Sequence, residues 1–203
     1  DQNYPLFLLY NKSNIPDRKQ NLKNYNKILK SLLDGCKFLE RNKCRFVSIP
    51  CNTAHYWYED LKKRIKIPIL NMPETVYLHT RENCKKNSKI GLLATETTIK
   101  TNVYSRYFNK NYSLIFPPKN IQITSVNKSI KLVKMGKTKE AERTLRKAIN
   151  YMIKIDCKKI ILGCTELPIA IFAFKSIKKV KTSKIFLDPN LILANAAMKK
   201  YNK

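Results

Sequence analysis

Two cysteines, Cys51 and Cys164, occupy similar places in two similar stretches of the chain, residues 46–53 and 160–168. Each follows an apolar run typical of a buried strand, and each precedes polar residues typical of the start of a helix. A helix N-terminus stabilises a thiolate, and its backbone N–H groups can hold a carboxylate. Inverting a stereocentre requires an acid and a base on opposite faces of one carbon. The two cysteines therefore predict a two-base proton exchange that uses one thiolate and one thiol.

The alternative is that both residues are buried core cysteines, as free cysteines commonly are. Two matched turns with polar followers favour the functional interpretation. The other four cysteines lack this setting: Cys36 falls on an apolar helical stripe, Cys44 and Cys157 precede strands, and Cys84 lies in a charged loop. No two of the six form a C-x-x-C pair, so zinc ribbons and dithiol redox motifs are unsupported and free thiols are expected.

Strand and helix patterns alternate along the chain, which predicts parallel pairing in an α/β fold. In such sheets ligands bind beyond the carboxyl ends of the strands, where both cysteines fall. Two similar halves with facing cysteines suggest a pseudo-two-fold arrangement. Strands are predicted at residues 5–10, 45–50, 67–70, 89–94, 114–116, 159–163 and 184–187, and helices at 24–40, 55–65, 98–109, 125–135, 137–155 and 190–201.

The two cysteine stretches resemble the paired signatures of the aspartate/glutamate racemase superfamily. These are Pro-Cys-Asn-Thr-Ala-His at residues 50–55 and Leu-Gly-Cys-Thr-Glu-Leu-Pro at residues 162–168. Glutamate racemases of the cell-wall pathway usually carry histidine where Glu166 stands, so the match is to the aspartate racemase branch. Nearly the whole chain takes part, including residues 11–18, 91–104, 133–136 and 187–189.

The resemblance implies specific roles. Cys51 and Cys164 would exchange the α-proton without pyridoxal phosphate, a metal or any other cofactor. Binding of an acidic amino acid is implied for nine further residues. Arg18 and Lys134 would hold the side-chain carboxylate, Asp17 would orient Arg18, Glu166 would tune Cys164, and Asn11, Asn52, Thr53, Thr98 and Thr165 would complete the substrate site. His55 is expected to be a hydrogen-bonded helix residue rather than a base.

It also implies two similar lobes, each with a parallel sheet flanked by helices, and an active site between them. The first lobe would comprise residues 1–83 plus 184–203, and the second residues 84–183. Members of the family normally begin with a strand, a Gly-Gly-Met-Gly-Pro-like loop and a helix before the strand at residues 5–10. The four glycines of this chain include no such loop, so a central strand and part of the site wall are expected to be missing.

Charge and composition limit the kinds of binding partner that the protein is expected to have. The chain has 203 residues, 43% of them hydrophobic, and no apolar run near the roughly 20 residues that cross a bilayer. A soluble, cytoplasmic protein without a membrane partner is expected, and the family implies a homodimer. The net charge is +27, but lysine is spread along the whole length, which favours compositional drift over a nucleic-acid patch. Such a field attracts small dicarboxylates.

Two alternatives to an acidic amino-acid racemase remain open. Related families isomerise maleate or decarboxylate malonates with one or two of these cysteines, although the matches at Asp17, Arg18 and Lys134 favour the amino-acid branch. The second alternative is an inactive basic remnant that binds nucleic acid or other anions without specificity, with a steep dependence on salt. No nucleic-acid motif supports it.

Overall fold

The computed structural model describes residues 4–17, 24–172 and 184–202 of the chain. The first part comprises α1 (Tyr25–Arg41), β1 (Val47–Ser48), a 3-10 helix (Thr53–Trp57), α2 (Tyr58–Lys62), β2 (Ile69–Leu70) and α3 (Met72–Asn83). The second comprises β3 (Lys89–Ala94), α4 (Glu96–Lys100), α5 (Ser105–Phe108), β4 (Ser113–Ile115), α6 (Lys119–Ile121), a π-helix (Gln122–Asn127), α7 (Lys128–Lys134), α8 (Thr138–Lys154), β5 (Lys159–Gly163), α9 (Glu166–Phe172), β6 (Phe186–Leu187) and α10 (Pro189–Tyr201).

All strand pairs in the described residues are parallel and form two sheets. The smaller sheet pairs β1 with β2, and the larger has the order β4-β3-β5-β6. Helices connect the strands, as parallel pairing requires. The predicted α/β fold of parallel sheets flanked by helices is confirmed. The pseudo-two-fold relation of two lobes stays a prediction.

The larger sheet is buried on both faces, which explains why β3 and β5 are almost continuously apolar. On one face Ile90, Leu92 and Ile161 pack in a core cluster with residues of α3, α5 and α10. On the other, Leu93 and Leu162 pack in a second cluster with residues of α7, α8 and α9. The carboxyl ends of β3 and β5 lie side by side, with Ala94 opposite Gly163.

The smaller sheet has its own core. The apolar stripe of α1, which includes Ile28 and Leu32, belongs to a buried cluster with Val47 of β1, Ile69 of β2 and Trp57. The Trp57 indole Nε1–H donates to the Tyr25 carbonyl at 3.1 Å, which ties the 3-10 helix to the start of α1. This cluster holds the segment just after β1, where Cys51 lies.

The predicted strand at residues 5–10 is wrong. These residues, all within the described part of the chain, form no β-strand, and residues 6–10 are exposed, Leu6 to 91% and Leu9 to 79%. A buried strand in a parallel sheet needs paired neighbours and cover on both faces. Here the segment has neither, and the Tyr10 ring instead stacks on Phe38 of α1 with centroids 4.3 Å apart.

The C-terminal segment contacts both sheets. β6 pairs with β5 in the larger sheet, with Phe186 opposite Ile160, whereas the predicted division places residues 184–203 in the first lobe. α10 then packs chiefly on α3 and also contacts β2. By strand pairing β6 belongs to the larger sheet, because its only paired neighbour among the described strands is β5. The lobe boundaries stay a prediction.

No helix in the described ranges combines the length and the apolar character needed to cross a membrane.

Candidate active site

The two cysteine turns have the same backbone geometry. The Cys51 N–H donates to the Ile49 carbonyl at 2.8 Å, and the Cys164 N–H donates to the Leu162 carbonyl at 2.8 Å. Each cysteine carbonyl then accepts from the residue three positions later, Ala54 at 3.2 Å and Leu167 at 3.0 Å. Each strand therefore ends in a tight turn that leads directly into a helical segment, with the cysteine at the turn.

Both cysteines line one cavity of about 70 Å³. Its wall comes from the ends of β3 and β5, the segment after β1, the end of α7 and the start of α9. Eight of the residues predicted for the site are gathered there: Asp17, Cys51, Asn52, Thr53, Lys134, Cys164, Thr165 and Glu166.

Of the predicted site residues that the structure describes, two do not line the cavity. Asn11 is exposed and does not line the cavity. Thr98 is buried behind the wall, where its Oγ1 lies 2.7 Å from Oγ1 of Thr53. Arg18 lies outside the described residues, so its predicted grip on a carboxylate stays a prediction.

Glu166 joins two of the predicted functional groups. Its Oε2 accepts from the Cys164 thiol at 2.9 Å and from the Thr165 hydroxyl at 3.2 Å. Its Oε1 lies 3.4 Å from the ammonium of Lys134. The Glu166 side chain is largely shielded, with 15% of its surface exposed, whereas that of Lys134 is 53% exposed. The Glu166 carboxylate thus contacts both the Cys164 thiol and the ammonium of Lys134, the cation that lines the cavity among the described residues.

Asn52 presents an amide group at the cavity wall. Its Oδ1 accepts from the Tyr104 hydroxyl, and burial raises the pKa of Tyr104 well above its ordinary value, so that hydroxyl keeps its proton. The Nδ2 of Asn52 is buried and has no hydrogen-bond partner among the described residues. A buried unsatisfied donor costs stability, so the Nδ2 of a residue that lines the cavity calls for an explanation in structure or in function.

Two wall residues, Thr95 and Gly163, were not predicted from the sequence. Both directly follow or end strands, so the rule that ligands bind at strand ends would have found them. Thr95 Oγ1 lies 3.0 Å from that of Thr98, which extends the buried hydroxyl contacts of Thr53. A Cβ on Gly163 would lie 2.8 Å from Leu92 and 2.9 Å from Ala94. Only glycine therefore allows β5 to lie this close to β3 just before Cys164.

Within the described residues, no group of three or more His, Cys, Asp or Glu side chains is arranged to hold a metal ion.

A family profile described as Asp/Glu/Hydantoin racemase matches residues 1–197. The chain belongs to the Asp/Glu/Hydantoin racemase family. This confirms the family identified from the two cysteine signatures, and with it an amino-acid racemase as the class of enzyme.

Relatives of this racemase family member cover different shares of its length. The broad specificity amino-acid racemase RacX of Bacillus subtilis is 26% identical over 167 residues, which are 82% of this chain and 71% of that protein. A glutamate racemase of Carboxydothermus hydrogenoformans is 24% identical over 167 residues, 81% of this chain and 59% of that protein. This chain therefore spans less than two thirds of the glutamate racemase.

Solved racemase structures share the fold. The Picrophilus torridus aspartate racemase superposes with a TM-score of 0.81 at 29% identity, covering 100% of this chain and 82% of that one. The Francisella tularensis glutamate racemase, solved with D-glutamate, superposes with a TM-score of 0.69 at 21% identity, covering 92% of this chain and 67% of that one. The second likeness concerns the fold alone.

His55 holds the Cys51 turn of this racemase in place. Its Nδ1 lies 2.9 Å from the Cys51 carbonyl, and its Nε2 accepts from the Met72 N–H at 3.0 Å. Nε2 is therefore unprotonated, and Nδ1 carries the proton and donates to Cys51. The ring is fully buried and bonded at both nitrogens, as expected for a structural helix residue rather than a base.

We expect the stability of the protein to fall as the pH decreases through 6.5, the ordinary pKa of histidine, because burial lowers the pKa of His55. Below that pH the histidine of the unfolded chain binds a proton, whereas His55 in the folded protein stays neutral. Each unit by which folding lowers the pKa costs about 1.4 kcal/mol of folding stability. Thermal unfolding midpoints between about pH 7.5 and about pH 5.5 measure the loss.

The second histidine, half-buried His79 of α3, supplies the matched control. His79→Gln should keep the decrease in unfolding midpoint over this pH window, and His55→Gln should flatten it. An unchanged slope in His55→Gln would contradict a neutral His55 in the folded protein.

Proposed function

We propose that this protein racemises an acidic amino acid, aspartate or glutamate, by a two-base mechanism with Cys51 and Cys164. The observation that carries the proposal is that two turns with the same backbone hydrogen bonds bring both thiols to one cavity. A single buried cysteine would support packing equally well, whereas a pair presented in this way fits chemistry on two faces of one carbon.

In this mechanism a thiolate on one side removes the α-proton, and the electron pair of the C–H bond stays on the substrate as a carbanion conjugated with its carboxylate. The opposite thiol then donates its proton to the other face and becomes the thiolate. The α-proton is a weak acid, so fixed donors must stabilise the negative charge that develops on the α-carboxylate. The Asn52 amide would be such a donor, a role supported by its buried Nδ2, which has no partner among the described residues.

Recognition of an acidic side chain would fall to Lys134 at the cavity wall, together with Arg18. The ammonium of Lys134 is held near the cavity by Glu166, and a substrate carboxylate would replace or share that contact. Aspartate is favoured as a substrate by the 29% identity to an aspartate racemase. A homodimer, a cytoplasmic location and independence from cofactors stay predictions.

The test is to incubate the purified protein with L-aspartate or L-glutamate in deuterated water. We expect deuterium at the α-carbon and formation of the D-enantiomer. The D-enantiomer is measured by chiral chromatography and the deuterium by mass spectrometry. A folded protein that shows neither exchange nor inversion with either amino acid would refute the proposed activity. Conversion of maleate to its trans isomer, or release of CO2 from a malonate, without any reaction of the amino acids would favour the isomerase or decarboxylase alternative.

A further inference from the structure

The Glu166 carboxylate connects recognition with chemistry. One of its oxygens contacts Lys134 at 3.4 Å, and the other accepts from the thiol of Cys164 at 2.9 Å. Lys134 is the residue proposed to bind the substrate side chain, and Cys164 is one of the proposed proton carriers. Because Glu166 is mostly shielded from water, a change of charge at either contact alters its proton affinity more than it would at the surface.

The proton on Cys164 has a ready acceptor in Glu166. Transfer breaks the S–H bond and forms an O–H bond on Oε2, so the negative charge passes from Glu166 to Sγ and the total charge of the pair is unchanged. Lys134 lies beside Oε1 and therefore stabilises the state in which the charge is on Glu166. In the unliganded cavity this contact favours the state in which the proton is on the sulfur.

We propose that a substrate carboxylate bound at Lys134 releases Glu166 to take the Cys164 proton. The anionic side chain of the substrate would neutralise Lys134 and repel charge from Glu166, and the thiolate of Cys164 would form as a result. An amino acid with a neutral side chain leaves Lys134 on Glu166 and the proton on sulfur. This inference rests on the proposed function, which it deepens by making an acidic side chain a condition for activating Cys164.

Other groups face the same thiol and set the background protonation. Asp17 and Cys51 line the cavity with it, and Cys164 contributes, after burial and Asp188, to the raised pKa of Tyr104. Their influence is common to acidic and neutral ligands that carry the same α-groups. The difference between two such ligands therefore isolates the effect of the side-chain carboxylate, and the Lys134→Met variant tests whether that effect acts through Lys134.

The acidic and the neutral ligand are α-methylaspartate and 2-aminoisobutyrate, neither of which has an α-proton. Only α-methylaspartate carries a side-chain carboxylate. The readout is the ultraviolet absorbance of the Cys164 thiolate, taken as wild type minus Cys164→Ser at fixed pH. We expect saturating α-methylaspartate to raise this thiolate signal by about threefold or more, and 2-aminoisobutyrate to leave it unchanged. Calorimetry establishes that each ligand is bound.

Three variants distinguish the proposed link between Lys134, Glu166 and Cys164 from a general effect of charge on the thiol. Glu166→Gln and Lys134→Met should each abolish the rise in thiolate signal. Lys131→Met, which removes an exposed charge from the same helix, α7, should retain it. Because Glu166 acts through Cys164, it is a positioning residue. Glu166→Gln should lower kcat for aspartate about 100-fold with a much smaller change in KM.

The outcomes separate this inference from the proposed function. The absorbance test needs no turnover, so a protein that fails to racemise can still show the thiolate response. Conversely, a working racemase that binds α-methylaspartate without a rise in Cys164 thiolate, or with an equal rise for both ligands, overturns the inference. Failure of α-methylaspartate to bind also overturns it, since Lys134 then receives no anionic side chain.

Discussion

Replacing either Cys51 or Cys164 with serine is expected to lower the rate of racemisation by about 1,000-fold or more, which is typical of losing a positioned acid or base. A hydroxyl is a far weaker acid than a thiol, so serine supplies neither a base at neutral pH nor an efficient proton donor. The change removes little volume, and both turns are held by backbone hydrogen bonds that serine also makes. The rate of D-enantiomer formation from L-aspartate measures the loss.

The two variants should differ in what they retain. With one thiol left, the remaining thiolate can remove the α-proton of the enantiomer that faces it and return a deuteron to the same face. Each variant should therefore exchange deuterium into one enantiomer without inversion, and the two variants into opposite enantiomers. Cys44→Ser, at a half-buried cysteine outside the cavity wall, is the matched control and should racemise at the wild-type rate. Racemisation within tenfold of wild type in either cavity variant would contradict the two-base mechanism.

Those parts of the site that lie at the carboxyl ends of strands could be predicted from the sequence. Cys51, Cys164 and their polar followers each sit after an apolar run, and parallel strands bring their carboxyl ends to one edge. Lys134 does not follow a strand, and only the family resemblance singled it out in so basic a chain. Its pairing with Glu166 depends on the packing of α7 against α9, which no local pattern encodes.

The errors in the fold have physical causes. The apolar run at residues 5–10 has the composition of a buried strand, but a strand also requires a paired neighbour, which hydrophobicity alone does not reveal. No element is predicted for residues 71–88, although α3 occupies Met72–Asn83. Its buried stripe is short and mixed, with Val76 and Thr80. The better signal was the start of the helix, where Asn71 accepts from the Glu74 N–H at 3.2 Å.

Asn52→Asp is expected to lower kcat/KM for aspartate by about 100-fold to 1,000-fold, the range measured for removing one donor that stabilises developing negative charge. The substitution replaces the Nδ2 donor with an oxygen that repels a carboxylate. It keeps an acceptor for the Tyr104 hydroxyl, so the buried contact behind the wall survives. Steady-state kinetics and the unfolding midpoint together measure the effect on function and on stability.

Tyr104→Phe is the matched control, because it removes the other half of the same contact. It leaves the Asn52 amide in the cavity wall but deprives its Oδ1 of a donor, so the protein should lose stability while kcat/KM stays within about tenfold of wild type. If Asn52→Asp and Tyr104→Phe lowered kcat/KM equally, Asn52 would act only through the Tyr104 contact. A selective loss in Asn52→Asp assigns the unpaired amide to the substrate carboxylate, whose charge rises as the α-proton leaves.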